Sequence, residues 1–176
     1  PDLVFMVPAV LEWELWRLFT YPFVLQQPFG LIIGVFVLWL FGRIFEARWG
    51  SRDFLRFVAV SWIGAALLAI PLSFLINLIM PFDDSGYAEG PGPAIDAMLV
   101  YLALTAPDSN ILFGFVLPMK TRTVVYLLLG FELIVGIQTG SAGLSITLGG
   151  ITMGYVLTTG IWRPERFIGQ FRDWDR

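Results

Sequence analysis

The chain has 176 residues, 57% hydrophobic and 14% charged, with a formal net charge of −3; ordinary soluble domains have roughly 45–50% apolar and about 25% charged residues. With 0 Cys and 0 His it can form no disulfide, and it has no thiol nucleophile, no imidazole base and no metal or haem site built on those ligands. Its mean hydropathy of +0.75 excludes a disordered chain and points to a membrane-embedded one, and nothing in it resembles a nucleic-acid surface.

Residues 1–27 are apolar but interrupted by Pro8, Glu12, Glu14, Arg17 and Pro22. Such a segment is no clean span, and it is predicted as a first outer loop in the interface, with Trp13 and Trp16 at headgroup depth. It lacks the basic n-region and small-residue cleavage site of a signal peptide. Apolar runs at about 28–45, 57–80, 94–106, 124–138 and 144–162 then predict about five transmembrane helices in an all-α membrane domain over 1–162. A span takes roughly 17–25 residues, so the run at 94–106 is short. It is expected at the centre, where other helices can satisfy its ends. The tail, 163–176, mixes Phe167, Phe171 and Trp174 with charges. It is read either as lying along the inner leaflet or as a solvated tail anchored by Trp162.

Charge placement orients these runs. Arg43, Arg48, Arg52 and Arg56 separate the first two runs, Lys120 and Arg122 the third and fourth, and Arg163, Arg166, Arg172 and Arg176 follow the fifth. Ten of the eleven basic residues thus share one side, and Arg17 alone lies on the other. The opposite loops carry Asp83, Asp84 and Glu89 or no charge. The positive-inside rule puts the Arg loops and the C-terminus in the cytoplasm and loop 81–93 outside.

Four motifs now fall in order. Trp16-Arg17-Leu18-Phe19-Thr20 is followed by Phe41-Gly42, with Thr20 and Gly42 separated by 22 positions. Glu46, Gly50-Ser51-Arg52 and Phe54-Leu55 come next. Gly90-Pro91-Gly92-Pro93-Ala94 opens the short run, and Gly150 and Gly154 lie one turn apart in the last. In these features, over about residues 11–161, the chain resembles the rhomboid intramembrane serine protease superfamily, with its WR motif, its FG…E…GS-R-FL run, its GxSGA loop and its paired glycines. The resemblance implies a rhomboid-like helical bundle whose first helix lies before Pro1, so that the runs here correspond to helices two to six.

Rhomboid proteolysis needs a serine nucleophile, a base and oxyanion donors. The resemblance aligns Gly92 with the nucleophile, Thr147 with the base, and Gly30 and Gly34 with the oxyanion-side His and Asn. None of these residues can do the chemistry, and a His-free chain cannot run the dyad elsewhere. The sequence therefore looks like an inactive rhomboid, a pseudoprotease, and is similar to derlins in keeping the WR motif without the dyad.

Two carboxyls remain. Asp96 is expected in the first helical turn after Pro93, where the helix dipole favours it. Glu132 falls near the bilayer centre, where an ionisable group is costly, and is read either as functional or as a protonated or hydrogen-bonded structural residue facing Thr147, Thr152 or a partner. The Gly30/Gly34 and Gly150/Gly154 pairs are small faces that suit close helix contact, with a partner or internally. Asp83, Asp84 and Glu89 form a loop that can meet a basic patch or simply be solvated.

These readings lead to a non-catalytic integral membrane protein that binds transmembrane proteins. The competing reading is an accessory subunit of a respiratory, photosynthetic or translocation complex. Behind both stands a carboxylate-based transporter element using Asp96 and Glu132. No metal or cofactor is expected, although lipids or pigments can pack on the surface.

Overall fold

The computed structural model describes residues 3–24, 28–82, 86–113 and 117–160. Two short helices, α1 (Val7–Leu11) and α2 (Arg17–Thr20), and a 3-10 turn at Tyr21–Phe23 precede the bundle. The bundle is α3 (Pro28–Trp49), α4 (Ser51–Ile79), α5 (Gly92–Thr105), α6 (Thr121–Gln138) and α7 (Gly140–Thr159). Among the described residues, α4, α6 and α7 are long and apolar enough to cross a membrane. The protein is an all-α membrane protein.

The order of packing follows from side-chain size. In lipid, apolar surface gains nothing by leaving the solvent, so helices associate where small residues let backbones approach. A Cβ on Gly150 would lie 2.8 Å from the Pro93 Cα, and one on Gly154 would lie 2.6 Å from the Ala97 Cα. Pro93 and Ala97 advance with Gly150 and Gly154, so α5 and α7 run parallel at this seam. Gly149, beside it, brings α4 in, since its Cβ would sit 2.6 Å from the Ala65 carbonyl oxygen. The paired glycines of α7 therefore serve internal packing. A polar clasp backs this contact: Ser73 Oγ and Asn77 Nδ2 of α4 donate to Ser141 Oγ of α7 at 3.3 and 3.2 Å.

α5 has 14 residues, or about 21 Å, too short for a bilayer core. It is buried on nearly every side, by Pro93, Ala94, Ala97, Met98, Leu99, Val100 and Leu102, as expected of a helix that is apolar all round. α4 has 29 residues, about 43 Å, and exceeds the hydrocarbon thickness. It carries Pro71 in its interior, a residue membrane helices tolerate. Gly50 takes φ 83°, a left-handed geometry that lets the chain reverse between α3 and α4 in one residue. Below the turn, Phe45, Trp49, Phe57 and Tyr101 join three helices, with ring centroids 4.7 to 6.5 Å apart.

Two elements add to the sequence reading. Between α5 and α6, Asn110–Phe113 (β1) pairs antiparallel with Leu117–Lys120 (β2). The hairpin is held at its base by Thr121, whose backbone N–H donates to the Ser109 carbonyl at 2.8 Å. The interfacial segment 1–27 is also more built than expected. Its Phe5 and Tyr21 are fully buried, while Trp13 is 81% and Trp16 50% exposed.

The seam sets a test. Gly154→Ala forces apart the backbones of α5 and α7 and is expected to cost about 1–3 kcal/mol. Gly130→Ala on α6, where a Cβ meets nothing within 4 Å, leaves stability unchanged or raises it, since alanine favours a helix. Thermal unfolding of the two variants in the same detergent checks the contrast.

Candidate functional site

The end of the bundle at which α5 begins is organised by the N-terminal segment. Arg17 is 6% exposed; its Nη1 donates to the Val4 carbonyl at 3.0 Å and its Nε pairs with Glu14. Thr20 Oγ1 donates to the Leu3 carbonyl at 2.9 Å. Phe5 and Ala88 exchange two backbone hydrogen bonds of 2.9 Å, and Gly90 N–H donates to the Tyr21 carbonyl at 2.9 Å. The Trp16-Arg17 motif thus closes a cap that fixes the loop leading into α5. Tyr21 deepens it: its hydroxyl donates to the Trp62 carbonyl of α4 at 2.9 Å, and burial raises its pKa above the ordinary phenol range, so it stays a donor. Sequence reasoning missed Tyr21, because nothing in an aromatic-rich stretch separates it from its neighbours.

The cap delivers Gly92 to the first position of α5. Gly92 is half-buried, and a Cβ built there meets no atom within 4 Å. One turn further, Asp96 is 1% exposed, and its Cβ lies against Gly150 of α7. The first turn of α5 holds no acidic residue. The expectation that Asp96 lies in the first helical turn is therefore corrected: the helix starts at Gly92, which puts Asp96 past the free N–H groups. Its Oδ1 is buried with no hydrogen-bond partner. Glu132 of α6 is half-buried.

Thr147 is buried on α7. Asp96 meets Gly150, and Gly92 and Thr147 each lie one turn earlier on these parallel helices, so the two share a level. The Thr147 hydroxyl turns toward α6, where a Cβ on Gly136 would lie 3.4 Å from Oγ1. Thr152 turns back on its own helix, donating to the Leu148 carbonyl at 2.8 Å. Glu46 accepts from Ser51 Oγ beside Gly50, so this part of the motif serves the α3–α4 turn.

The remaining predicted residues stand apart from this cluster. Gly34 is half-buried on α3; the surroundings of Gly30, together with Asp83, Asp84 and the tail 163–176, lie outside the described residues. Glu89 is half-buried in the loop before α5. A cavity of about 380 Å3 opens between Phe82, Gly86 and Tyr87 and the α6–α7 turn at Ile137, Gln138, Thr139 and Gly140. Neither Gly92 nor Asp96 lines it. Gly86 has φ +64°, and a Cβ there would lie 2.1 Å from the Thr139 carbonyl oxygen, so only glycine fits that loop against the turn.

No group of three or more acidic residues placed to hold a metal occurs among the described residues. The family model described as "Eukaryotic integral membrane protein (DUF1751)" matches residues 2–158, which includes the cap, the whole of α3 to α6 and nearly all of α7. Replacing Arg17 with Gln removes a buried charge-assisted bond to the Val4 carbonyl and is expected to cost about 1–3 kcal/mol. Hydrogen exchange should rise first at Ala88 and Gly90, the amides held by the cap, before it rises in α7.

Proposed function

The chain belongs to this family of integral membrane proteins, and we propose that it acts as a non-catalytic rhomboid-like protein, a pseudoprotease that holds transmembrane segments of other proteins. The observation that carries the reading is the start of α5. At the place where the rhomboid resemblance calls for a serine, Gly92 offers an open space and no side chain, and the level-matched position on α7 is Thr147, which is no base near neutral pH. A bundle that keeps its cap, its glycine seam and its central short helix while lacking reactive groups retains a binding architecture without the chemistry.

The side of the bundle that suits a guest helix is where α3 and α6 flank α5. α3 packs on α4 and α5, and α6 packs on α5 and α7. The lower half of α3 is buried through Phe41, Phe45 and Trp49, whereas Val35, Phe36 and Trp39 above it are exposed. On α6, Phe131 and Ile134 are exposed as well. A guest lying between these two helices contacts both sets.

Photo-crosslinking residues placed at Val35, Trp39 and Ile134 in native membranes are expected to give one and the same partner, with the adducts mapped inside its transmembrane segment. Placed at Leu67 or Phe74 of α4, on exposed positions elsewhere, they give lipid alone. Lipid adducts alone at every position would refute the reading, as would labelling of the purified protein by a fluorophosphonate.

The same reading places the C-terminus and the hairpin in the cytoplasm, supported by Arg43, Arg48, Arg52, Arg56, Lys120 and Arg122 at one end of the helices. Because the chain has 0 Cys, single cysteines report orientation cleanly. A cysteine at Tyr87 should react with a membrane-impermeant maleimide from the non-cytoplasmic side, and one at Asp108 only from the cytoplasmic side. The reverse pattern inverts the assignment.

A further inference from the structure

We propose that the cavity between the Gly86–Tyr87 loop and the α6–α7 turn is a binding site for a neutral sugar ring, presented as the headgroup of a glycolipid. The site is separate from the helix-binding face described above and does not depend on it.

The cavity has a firm frame. Gly86 packs so closely on the turn that a Cβ there would lie 2.1 Å from the Thr139 carbonyl oxygen. Gly140, the first residue of α7, takes φ 85°, so α6 passes directly into α7 at this point. The loop is held from its other end as well, where Ala88 exchanges backbone hydrogen bonds with Phe5. These backbone contacts frame a space of about 380 Å3, within the roughly 300–1,000 Å3 of pre-formed small-molecule sites.

The lining selects the ligand. Phe82 and Tyr87 contribute aromatic rings and Ile137 an aliphatic side chain. Gln138 supplies an amide and Tyr87 a hydroxyl, and among the described residues neither side chain has a hydrogen-bond partner. The Thr139 hydroxyl is turned back on its own helix, 3.1 and 3.0 Å from the Val135 and Gly136 carbonyls. No charged side chain lines the cavity among the described residues. A carboxylate or phosphate would give up hydration there and meet no cation. A trimethylammonium group would find the rings, but it has no hydrogen bond to exchange with the amide or the hydroxyl. A hexose ring matches both halves of the lining. Its C–H faces rest on aromatic and aliphatic carbon, and its hydroxyls, which both donate and accept, meet Gln138 and Tyr87.

The position favours a ring carried on a lipid. The cavity lies where α4 and α6 end and α7 begins, at the rim of the spans and not in their middle. Leu78, Ile79 and Met80 at the end of α4, and Ile137 at the end of α6, are exposed apolar residues of the kind that face lipid. A sugar anchored in the bilayer reaches this level already confined, so it loses less freedom on binding than a sugar from solution.

The full chain can be placed in phosphatidylcholine nanodiscs containing either glucosylceramide or ceramide of the same chains, and the lipid it retains read by native mass spectrometry. Glucosylceramide is expected to be retained at least about tenfold over ceramide, as two or three added hydrogen bonds would give. Gln138→Ala and Tyr87→Phe, which remove one polar group each from opposite walls, should each lower that ratio about three- to tenfold. Leu67→Ala, on an exposed part of α4 away from the cavity, should leave it unchanged. Thermal melts identify a variant that fails to fold, and the other wall then carries the test. Methyl glucoside in solution competing as well as the glycolipid keeps the sugar site and assigns it to soluble sugars. Equal retention of glucosylceramide and ceramide overturns the site, as does a preference that neither substitution lowers. Stronger retention of phosphatidylglycerol than of glucosylceramide, which makes the cavity an anion site, overturns it too.

Discussion

The close approach of α5 and α7 is the contact on which the other features of the bundle depend. Gly150 and Gly154 bring the α7 backbone almost onto Pro93 and Ala97, and no larger residue would permit it. In a membrane this kind of contact has to come from packing, since burial of apolar surface against protein or lipid is nearly equivalent. Because α5 is too short to span, it needs partners along its whole length, and the seam supplies one wall. α4 is drawn to the same place by Gly149 against Ala65 and by the Ser73–Asn77–Ser141 clasp. Hydrogen bonds of this kind are modest in lipid, roughly 0.6 kcal/mol each in measured cases, so they fix register more than they hold helices together.

Two further devices complete the fold at opposite ends. The Phe45–Trp49–Phe57–Tyr101 cluster ties α3, α4 and α5 at one end, with edge-on and tilted ring contacts of the geometry that the ring quadrupole favours. At the other end the Arg17 cap binds the N-terminal segment to Ala88 and Gly90. The cap explains why an apolar stretch interrupted by prolines and charged residues precedes the helices. It sets the direction from which the chain enters α5, and therefore where Gly92 and Asp96 come to lie.

That position matters because the membrane penalises every unpaired polar group. The bundle satisfies its hydroxyls locally: Ser61, Ser145 and Thr158 all donate to carbonyls of their own helices. Asp96 departs from this pattern, as do Trp62 Nε1 and Asn77 Oδ1, which are also buried without a hydrogen-bond partner. Asp96 is buried as deeply as the alanines beside it, yet one oxygen has no partner.

The sequence alone determined the class of the protein and the outline of its helices. Long apolar runs are forced by the bilayer, and the Gly50 turn, the paired glycines of α7 and the Arg-rich junctions are local signals with direct physical meaning. It also identified Gly92, Thr147, Asp96 and Glu132 as the positions of interest, since ionisable and missing side chains stand out in an apolar chain. The hairpin at β1 and β2 was not legible, because four-residue strands carry too little periodicity to distinguish them from an apolar connector. Nor was the role of Asp96. One residue's difference in where α5 begins moved it out of the first helical turn, and packing buried it with one oxygen unpartnered. Whether Glu132 faces it or lipid depends on the rotation of α6 against α5 and α7. Those are decisions of tertiary packing: they depend on which backbones can approach, and the sequence records the small residues that allow the approach without recording which partner each one meets.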